Sequence, residues 1–250
     1  VPNSSPSAGY QKKSRQKPRV TQTTPLACLP VLSLQTNVMA KTFFITGIGT
    51  GVGKTIAAAI VTQALQADYW KPVQAGFDDG TDSQTVASLV GNTQTVFHQE
   101  AYKLAMPASP HIAAREEGIH IDLDHIVSHY AQLKRDRTLV VEGAGGLMVP
   151  LNKHQFVADL VKALDAEVLL VSRNYLGSIN HSLLTAAYCK QMGLRVAGWI
   201  FNDQYLQYEQ EIADWSGYPI LGSIPFTQNP DRSFINSQAA QMRLSLLPLL

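Results

Sequence analysis

Residues 47–55, Gly47-Ile48-Gly49-Thr50-Gly51-Val52-Gly53-Lys54-Thr55, put glycines in front of one lysine and one threonine. Glycines let a backbone turn successive N–H groups inward, where they cradle phosphate oxygens. A helix opening near Gly53 would add the positive end of its dipole. Lys54 could then reach β- and γ-phosphates, and the Thr55 hydroxyl could ligate Mg²⁺. The usual phosphate loop places its first glycine four residues before Gly-Lys-Ser/Thr. Here that position is Ile48, and Gly47 lies one residue further away. The stretch names a nucleotide and a phosphoryl group and leaves the acceptor open.

Three further positions could share this chemistry. Val140-Val141-Glu142-Gly143-Ala144-Gly145-Gly146 ends an apolar run with an acid and a flexible turn. Ligands of open α/β sheets gather at the carboxyl ends of strands, so Glu142 is a candidate for Mg²⁺, directly or through water. Its ordinary alternative is a turn or capping acid, but a carboxylate ending a buried strand is costly without a partner. Asp82, in Gly80-Thr81-Asp82-Ser83, precedes a helical run, and N-cap and metal ligand both stand as readings. Lys71, in Lys71-Pro72-Val73, ends a short strand near the same rim. It could offset charge on a reacting phosphate or carbamate, although alone it reads as a surface lysine. His111 and His181 read as structural hydrogen-bonders, and Trp199 as core.

The elements that must position these residues are legible as an alternation. Strands are predicted at Thr42–Thr46, Tyr69–Val73, Thr138–Glu142, Val168–Ser172, Val196–Asn202 and Ile220–Ile224. Helices are predicted over 54–66, 81–90, 122–134, 156–164, 178–191 and 206–215. Continuous Val/Ile/Leu runs mark strands buried on both faces. The expected fold is therefore α/β, a parallel sheet flanked by helices on both faces in a single domain. The apolar ending Leu244–Leu250 reads as a packed last helix or a frayed tail.

Composition narrows the class. The 250 residues are 45% hydrophobic and 16% charged, with net charge +1. No apolar run reaches the roughly 20 residues of a membrane span. Neither nucleic acid nor a membrane is expected as a partner of the folded part. Cys28 and Cys189 make no disulfide framework and no zinc set, and Cys189 reads as a buried small hydrophobe. The even charge hides a split. Residues 1–38 hold five basic side chains and no acid, for +5, against 15 basic and 19 acidic in the rest, for −4. They also hold five of the thirteen prolines and nine Ser/Thr, too little apolar surface to offset ordering. Either a transit-like peptide or a non-native stretch before a start at Met39 fits; the second is favoured, because Val1 is no natural start. The expected organisation is a disordered basic extension over 1–38 and a phosphate-loop domain over 39–250.

Residues from about 41 to 235 resemble dethiobiotin synthetase, the ATP-dependent carboxylase of biotin synthesis. The resemblance is carried, in order, by Thr46-Gly47 to Lys54-Thr55 and Lys71-Pro72-Val73, then Pro107-Ala108-Ser109-Pro110-His111 and Glu142 to Gly146. Leu176-Gly177-Ser178-Ile179-Asn180-His181, Ala197 to Asp203 and Ile224-Pro225 complete it. The loop spacing that is odd for a generic phosphate loop is normal in this family. The resemblance implies a cytoplasmic ligase with the phosphate-loop NTPase fold. It implies 7,8-diaminononanoate, CO₂, ATP and Mg²⁺ as reactants, and a carbamate phosphorylated to a mixed anhydride before ring closure. Gly51, Val52, Gly53, Lys54, Thr55 and Ile56 would hold phosphates, with Gly143, Ala144 and Gly145 close by. Thr55, Asp82 and Glu142 would arrange Mg²⁺. Thr50, Lys54 and Lys71 would act on the carbamate and the transferring phosphoryl group. Asn202 would read adenine with Asp203, Pro225, Phe226 and Thr227 around it, and Asp231 would meet the ribose. Ala75 and Gly145 would lie beside the diamine. Gly177, Ser178, Ile179 and Asn180 would bind its carboxylate from a neighbouring subunit, which implies a homodimer. Asn180 could alternatively stabilise only a helix turn.

Departures from the family pattern are visible. Ala75 stands where the family usually offers a hydroxyl, a loss of about 0.5–1.5 kcal/mol for one hydrogen bond. The segment between Asp203 and Pro225 is short, and either Tyr205 or Tyr208 could supply the tyrosine of the carboxylate site. The runner-up class is a nucleotide switch of the partitioning or septum-positioning type. Such switches usually carry an extra lysine early in the loop, and Gly47 to Val52 has none. An amidotransferase-type synthetase would need a glutaminase domain with a reactive cysteine, for which the folded part has only Cys189 and no room.

Overall fold

Strand β1 (Thr42–Gly47) is buried along its whole length on both sides of its pleat, and this decides the layering. Phe43 and Ile45 pack on one face of the sheet and Phe44 on the other, as the period of two requires. The computed structural model describes residue 9 and residues 40–133, 136–203 and 205–250. The readings made for residues 1–38, for Met39 and for Cys28 fall outside the described residues, Gly9 apart. Residues Val38–Leu250 form one compact unit.

In chain order β1 is followed by α1 (Lys54–Leu65), β2 (Asp68–Trp70), β3 (Val73–Ala75) and α2 (Asp82–Leu89). Next come β4 (Phe97–His98), β5 (Tyr102–Leu104), α3 (Pro110–Glu116) and α4 (Leu123–Gln132). Then follow β6 (Leu139–Gly146), α5 (Val157–Ala163), β7 (Glu167–Arg173) and α6 (Ser178–Met192). The chain closes with β8 (Val196–Asn202), α7 (Glu209–Ser216), β9 (Ile220–Ile224) and α8 (Arg232–Leu246). Seven strands pair in the order β4-β2-β6-β1-β7-β8-β9, every pair parallel. Helices α1, α2 and α8 cover one face, and α3 to α7 cover the other. From β1 the chain runs one way to β2 and β4, and from β7 the other way to β8 and β9. The loops after β1 and β6 open at this reversal, where such sheets bind ligands.

The structure corrects several boundaries. The single strand expected at Tyr69–Val73 is two: β2 stops at Trp70, and β3 pairs instead with β5 in a separate two-stranded sheet. Pro72 has no N–H to continue a ladder, although its carbonyl accepts from Ala101 and Tyr102. Strand β6 runs on through its glycines to Gly146, past the expected end at Glu142. The last helix begins at Arg232, well before the expected Leu244. Its buried Ile235, Ala239, Met242 and Leu246 recur at helical spacing. No helix among the described residues is long and apolar enough to cross a membrane.

Candidate active site

Parallel register brings the distant motifs together. Trp70 pairs with Val141, so Lys71 comes level with Glu142, and Tyr69, paired with Val140, shares their face. That face carries α1, whose first two residues are Lys54 and Thr55. Glu142 therefore ends up in the wall between β1, β2 and α1 with 1% exposure. The Thr55 hydroxyl donates to its Oε1 at 2.9 Å, and the Tyr69 hydroxyl to its Oε2 at 2.8 Å. Lys71 Nζ lies 3.1 Å from Oε1 and also donates to the Gly143 carbonyl at 3.2 Å. These partners answer the burial cost and set aside the reading of Glu142 as a turn acid.

Asp82 completes the cluster. The N-cap of α2 is Thr81, which accepts from Gln84 N–H in a reciprocal capping box. Asp82 is thus the first helical residue, and its carboxylate turns to Lys71 at 2.5 Å, with Oδ1 3.3 Å from Thr55 Oγ1. Gln74 holds it from behind, its Oε1 accepting from Asp82 N–H at 3.1 Å. Lys71 is no surface lysine: its side chain is 4% exposed between two carboxylates. Burial disfavours its charge, but Glu142 and Asp82 outweigh burial and raise its pKa. Burial lowers the Lys54 ammonium to about 8, aided by Lys71 and opposed by Glu142 and Asp82. Lys54 Nζ donates to the Gly49 carbonyl at 2.8 Å. Burial, then the Glu142 charge, pushes the Tyr69 phenol well above its ordinary value.

Lys54, Thr55, Lys71, Asp82 and Glu142 face a cavity of about 730 Å³. Thr50, Gly51, Gly53 and the Lys54–Thr55 pair line it on the loop side, and Ala144 and Gly145 on the β6 side. Ala75, Gln74 and Pro107 to Pro110 close the far wall. Gly53 has φ +93°, and a Cβ there would meet Asn202 Nδ2 at 2.2 Å, so glycine is required. Asn202, at the end of β8, donates from that amide to the Val52 carbonyl at 3.1 Å and thereby ties the loop to a second pocket. This pocket, about 130 Å³, is lined by Ile56, Arg173, Asn202, Pro225, Phe226 and Thr227. Asp203 pairs with Arg173 at 3.4 Å, and Asp231 Oδ1 caps α8 by accepting from Phe234 N–H.

Gly177, Ser178, Ile179 and Asn180 open α6 and do not line the large cavity. Tyr205 is 44% exposed, whereas Tyr208 is buried with its hydroxyl on Ser178. His111 and His181 bond to Ser109 and Tyr175, and Trp199 is completely buried, its indole donating to Ser216. Burial pushes the Cys189 thiol up to about 12, which makes it inert. Sequence reading missed Tyr69, Gln74 and Arg173. Gln74 follows Pro72 by two residues, but nothing local marks Tyr69, whose role depends on the β2–β6 register.

A family model described as AAA domain matches residues 41–232. The chain is 45% identical to the ATP-dependent dethiobiotin synthetase of Cytophaga hutchinsonii, covering 81% of this chain and 97% of that protein. It is 44% identical to that of Christiangramia forsetii, covering 83% and 99%. Among solved structures, a ParA family ATPase from Chlorobium tepidum matches with TM-score 0.54 at 13% identity, over 82% of this chain and 98% of that one. The cell division protein MinD of Aquifex aeolicus matches with TM-score 0.53 at 16% identity, over 84% and 98%. At these identities the structural likeness is one of fold alone.

Proposed function

Because the chain belongs to the dethiobiotin synthetase family, we propose that this site closes the ureido ring of dethiobiotin from 7,8-diaminononanoate, CO₂ and ATP. One amine takes up CO₂ and loses a proton, giving a carbamate. A carbamate oxygen attacks the γ-phosphorus and ADP leaves, forming a carbamic–phosphoric anhydride. The second amine attacks the anhydride carbonyl and loses its proton. The ring closes, and phosphate departs with the former carbamate oxygen.

The observation that carries this reading is Lys71, buried beside Glu142 and Asp82 on the cavity that the phosphate loop opens into. A fixed ammonium there stabilises the carbamate anion and the charge that develops on the transferring phosphoryl group. Lys54 and the loop N–H groups from Gly51 to Thr55 hold the phosphates, and Thr50 faces the reacting end from the cavity wall. Mostly, the residues work by positioning and charge, which suits phosphoryl transfer.

Thr55, Asp82 and Glu142 suit Mg²⁺, which is commonly held through one or two carboxylates together with substrate phosphates. Held there, Mg²⁺ would supply positive charge to the transferring phosphoryl group. The small pocket takes the base, with Asn202 reading its edge, Pro225 and Phe226 flanking it, and Ile56 and Thr227 around it, while Asp203 reaches it through its ion pair with Arg173. One oxygen of Asp231 is committed to its cap, which leaves the other for the ribose. Ala75 and Gly145, on the wall of the large cavity, would lie beside the diamine. Since the start of α6 is outside the large cavity, the substrate carboxylate is assigned to that turn on a second copy of the chain. The resulting homodimer is favoured by Leu176 and Leu184, which flank the turn at 88% and 61% exposure. In this reading residues 39–250 carry the reaction in the cytoplasm, and the basic residues 1–38 take no catalytic part.

The test is release of ADP with the diamine and bicarbonate omitted in turn. Release that requires both supports the assignment. Hydrolysis independent of the diamine and stimulated by a protein or lipid partner would favour a nucleotide switch instead.

A further inference from the structure

The two carboxylate oxygens of Glu142 are held in different ways among the described residues. Oε1 accepts from the Thr55 hydroxyl at 2.9 Å and lies 3.1 Å from Lys71 Nζ, and both of those residues line the large cavity. Oε2 accepts from the Tyr69 hydroxyl at 2.8 Å. Tyr69 is fully buried and stands behind the cavity wall rather than on it. The chemistry proposed for the cavity does not use this phenol.

The phenol is firmly placed. Tyr69 pairs with Val140 of β6 on one side and with Phe97 of β4 on the other. Its N–H donates to the Val96 carbonyl at 2.9 Å, and its ring packs on that of Phe97 with centroids 6.0 Å apart. Burial, then the Glu142 charge, keeps the hydroxyl protonated and therefore a donor. A donor fixed in this way holds Oε2 on the sheet side and leaves Oε1 as the oxygen offered to the cavity. That distinction matters for a metal. Mg²⁺ is small and demands near-ideal octahedral geometry, whereas Ca²⁺ takes about six to eight oxygens and accepts a carboxylate through one oxygen or both. Ligand number and flexibility decide between the two ions.

We propose that Tyr69 is a positioning residue that selects the metal: by holding Oε2 it keeps Glu142 a one-oxygen ligand, which suits Mg²⁺ and withholds the second oxygen that Ca²⁺ would use. The inference rests on the reading of Thr55, Asp82 and Glu142 as the Mg²⁺ site. It gives a buried phenol a part in the reaction without contact with substrate.

The experiment reads Mn²⁺ bound to the protein with a non-hydrolysable ATP analogue, by electron paramagnetic resonance, and displaces it with Mg²⁺ or Ca²⁺. The concentrations that halve the bound signal give the preference between the two ions with no turnover involved. The unmodified protein should prefer Mg²⁺ about tenfold more strongly than the free analogue does; no such gain overturns the inference without any variant. Tyr69→Phe keeps the ring and frees Oε2. It should weaken Mg²⁺ about tenfold without weakening Ca²⁺, as loss of a hydrogen bond behind a ligating carboxylate implies. Phe97→Leu loosens the packing on the same ring but keeps the phenol, and should leave the preference within about twofold. An unchanged preference in Tyr69→Phe overturns the inference, whether both ions weaken together or neither moves, and an equal shift in Phe97→Leu does the same. Glu142→Gln tests the site beneath it and should weaken bound Mn²⁺ about tenfold. Undiminished Mn²⁺ binding in that variant overturns the metal reading and this inference with it.

Discussion

At the phosphate loop the charged groups are buried and paired, whereas the pocket proposed for the base is a 130 Å³ recess beside Phe226, which is 62% exposed. The first region is made at the ends of central strands, where Glu142 collects three donors from β2, its flank and α1. The second is made by loops after β8 and β9, nearer the sheet edge. The difference follows from what each must do. Charge that stabilises a reacting phosphoryl group works best desolvated and already oriented. A base needs only a flat apolar contact and one amide, which a mobile or exposed residue can supply.

Substitutions at the two ends should therefore separate. Lys71→Ala should cut turnover by about a thousandfold while nucleotide affinity stays within a few-fold. It should also cost about 3–5 kcal/mol of stability, because Glu142 is left buried without its cation. Steady-state rates with thermal unfolding check both parts, and full activity would remove Lys71 from the chemistry. Tyr69→Phe takes one donor from the Glu142 carboxylate and should cost about 1.5–3 kcal/mol of stability in denaturant titration. Glu142→Gln keeps the shape and should raise the Mg²⁺ concentration for half-maximal rate about tenfold, from loss of one carboxylate. An unchanged Mg²⁺ dependence would argue against metal contact.

At the base end the effects should be smaller and confined to binding. Phe226→Ala should raise the ATP KM about fivefold, as loss of one stacking face implies, and leave kcat alone. If it lowered kcat as strongly as Lys71→Ala, the division between the two ends would fail. Ala75→Ser, which restores a hydroxyl on the cavity wall, should lower the diamine KM about twofold. No change would mean that another group fills that place.

Legibility in the sequence follows the same division. Strand β1, the phosphate loop and the start of α1 are contiguous, so local pattern locates them. Glu142 is also legible, because a single acid interrupts an apolar run just before glycines. The pairing of Lys71 is not, since it depends on the register of β2 against β6, strands some 70 residues apart in the chain. Tyr69 was hidden for the same reason, and read alone it is one more aromatic in a strand. Pro72 was present in the sequence as a breaker, yet its consequence, a second small sheet that turns Gln74 and Ala75 toward the cavity, required β5. The helical spacing of Ile235, Ala239, Met242 and Leu246 was a readable signal for α8 that polar neighbours obscured.

Phosphorylation of a carbamate oxygen in this cavity leaves an isotopic trace. It is read from turnover started with ¹⁸O-labelled CO₂ and quenched before exchange with water. The mechanism predicts one labelled oxygen in the released phosphate, carried across from the carbamate. Phosphate free of label, at the same yield of closed ring, would contradict it.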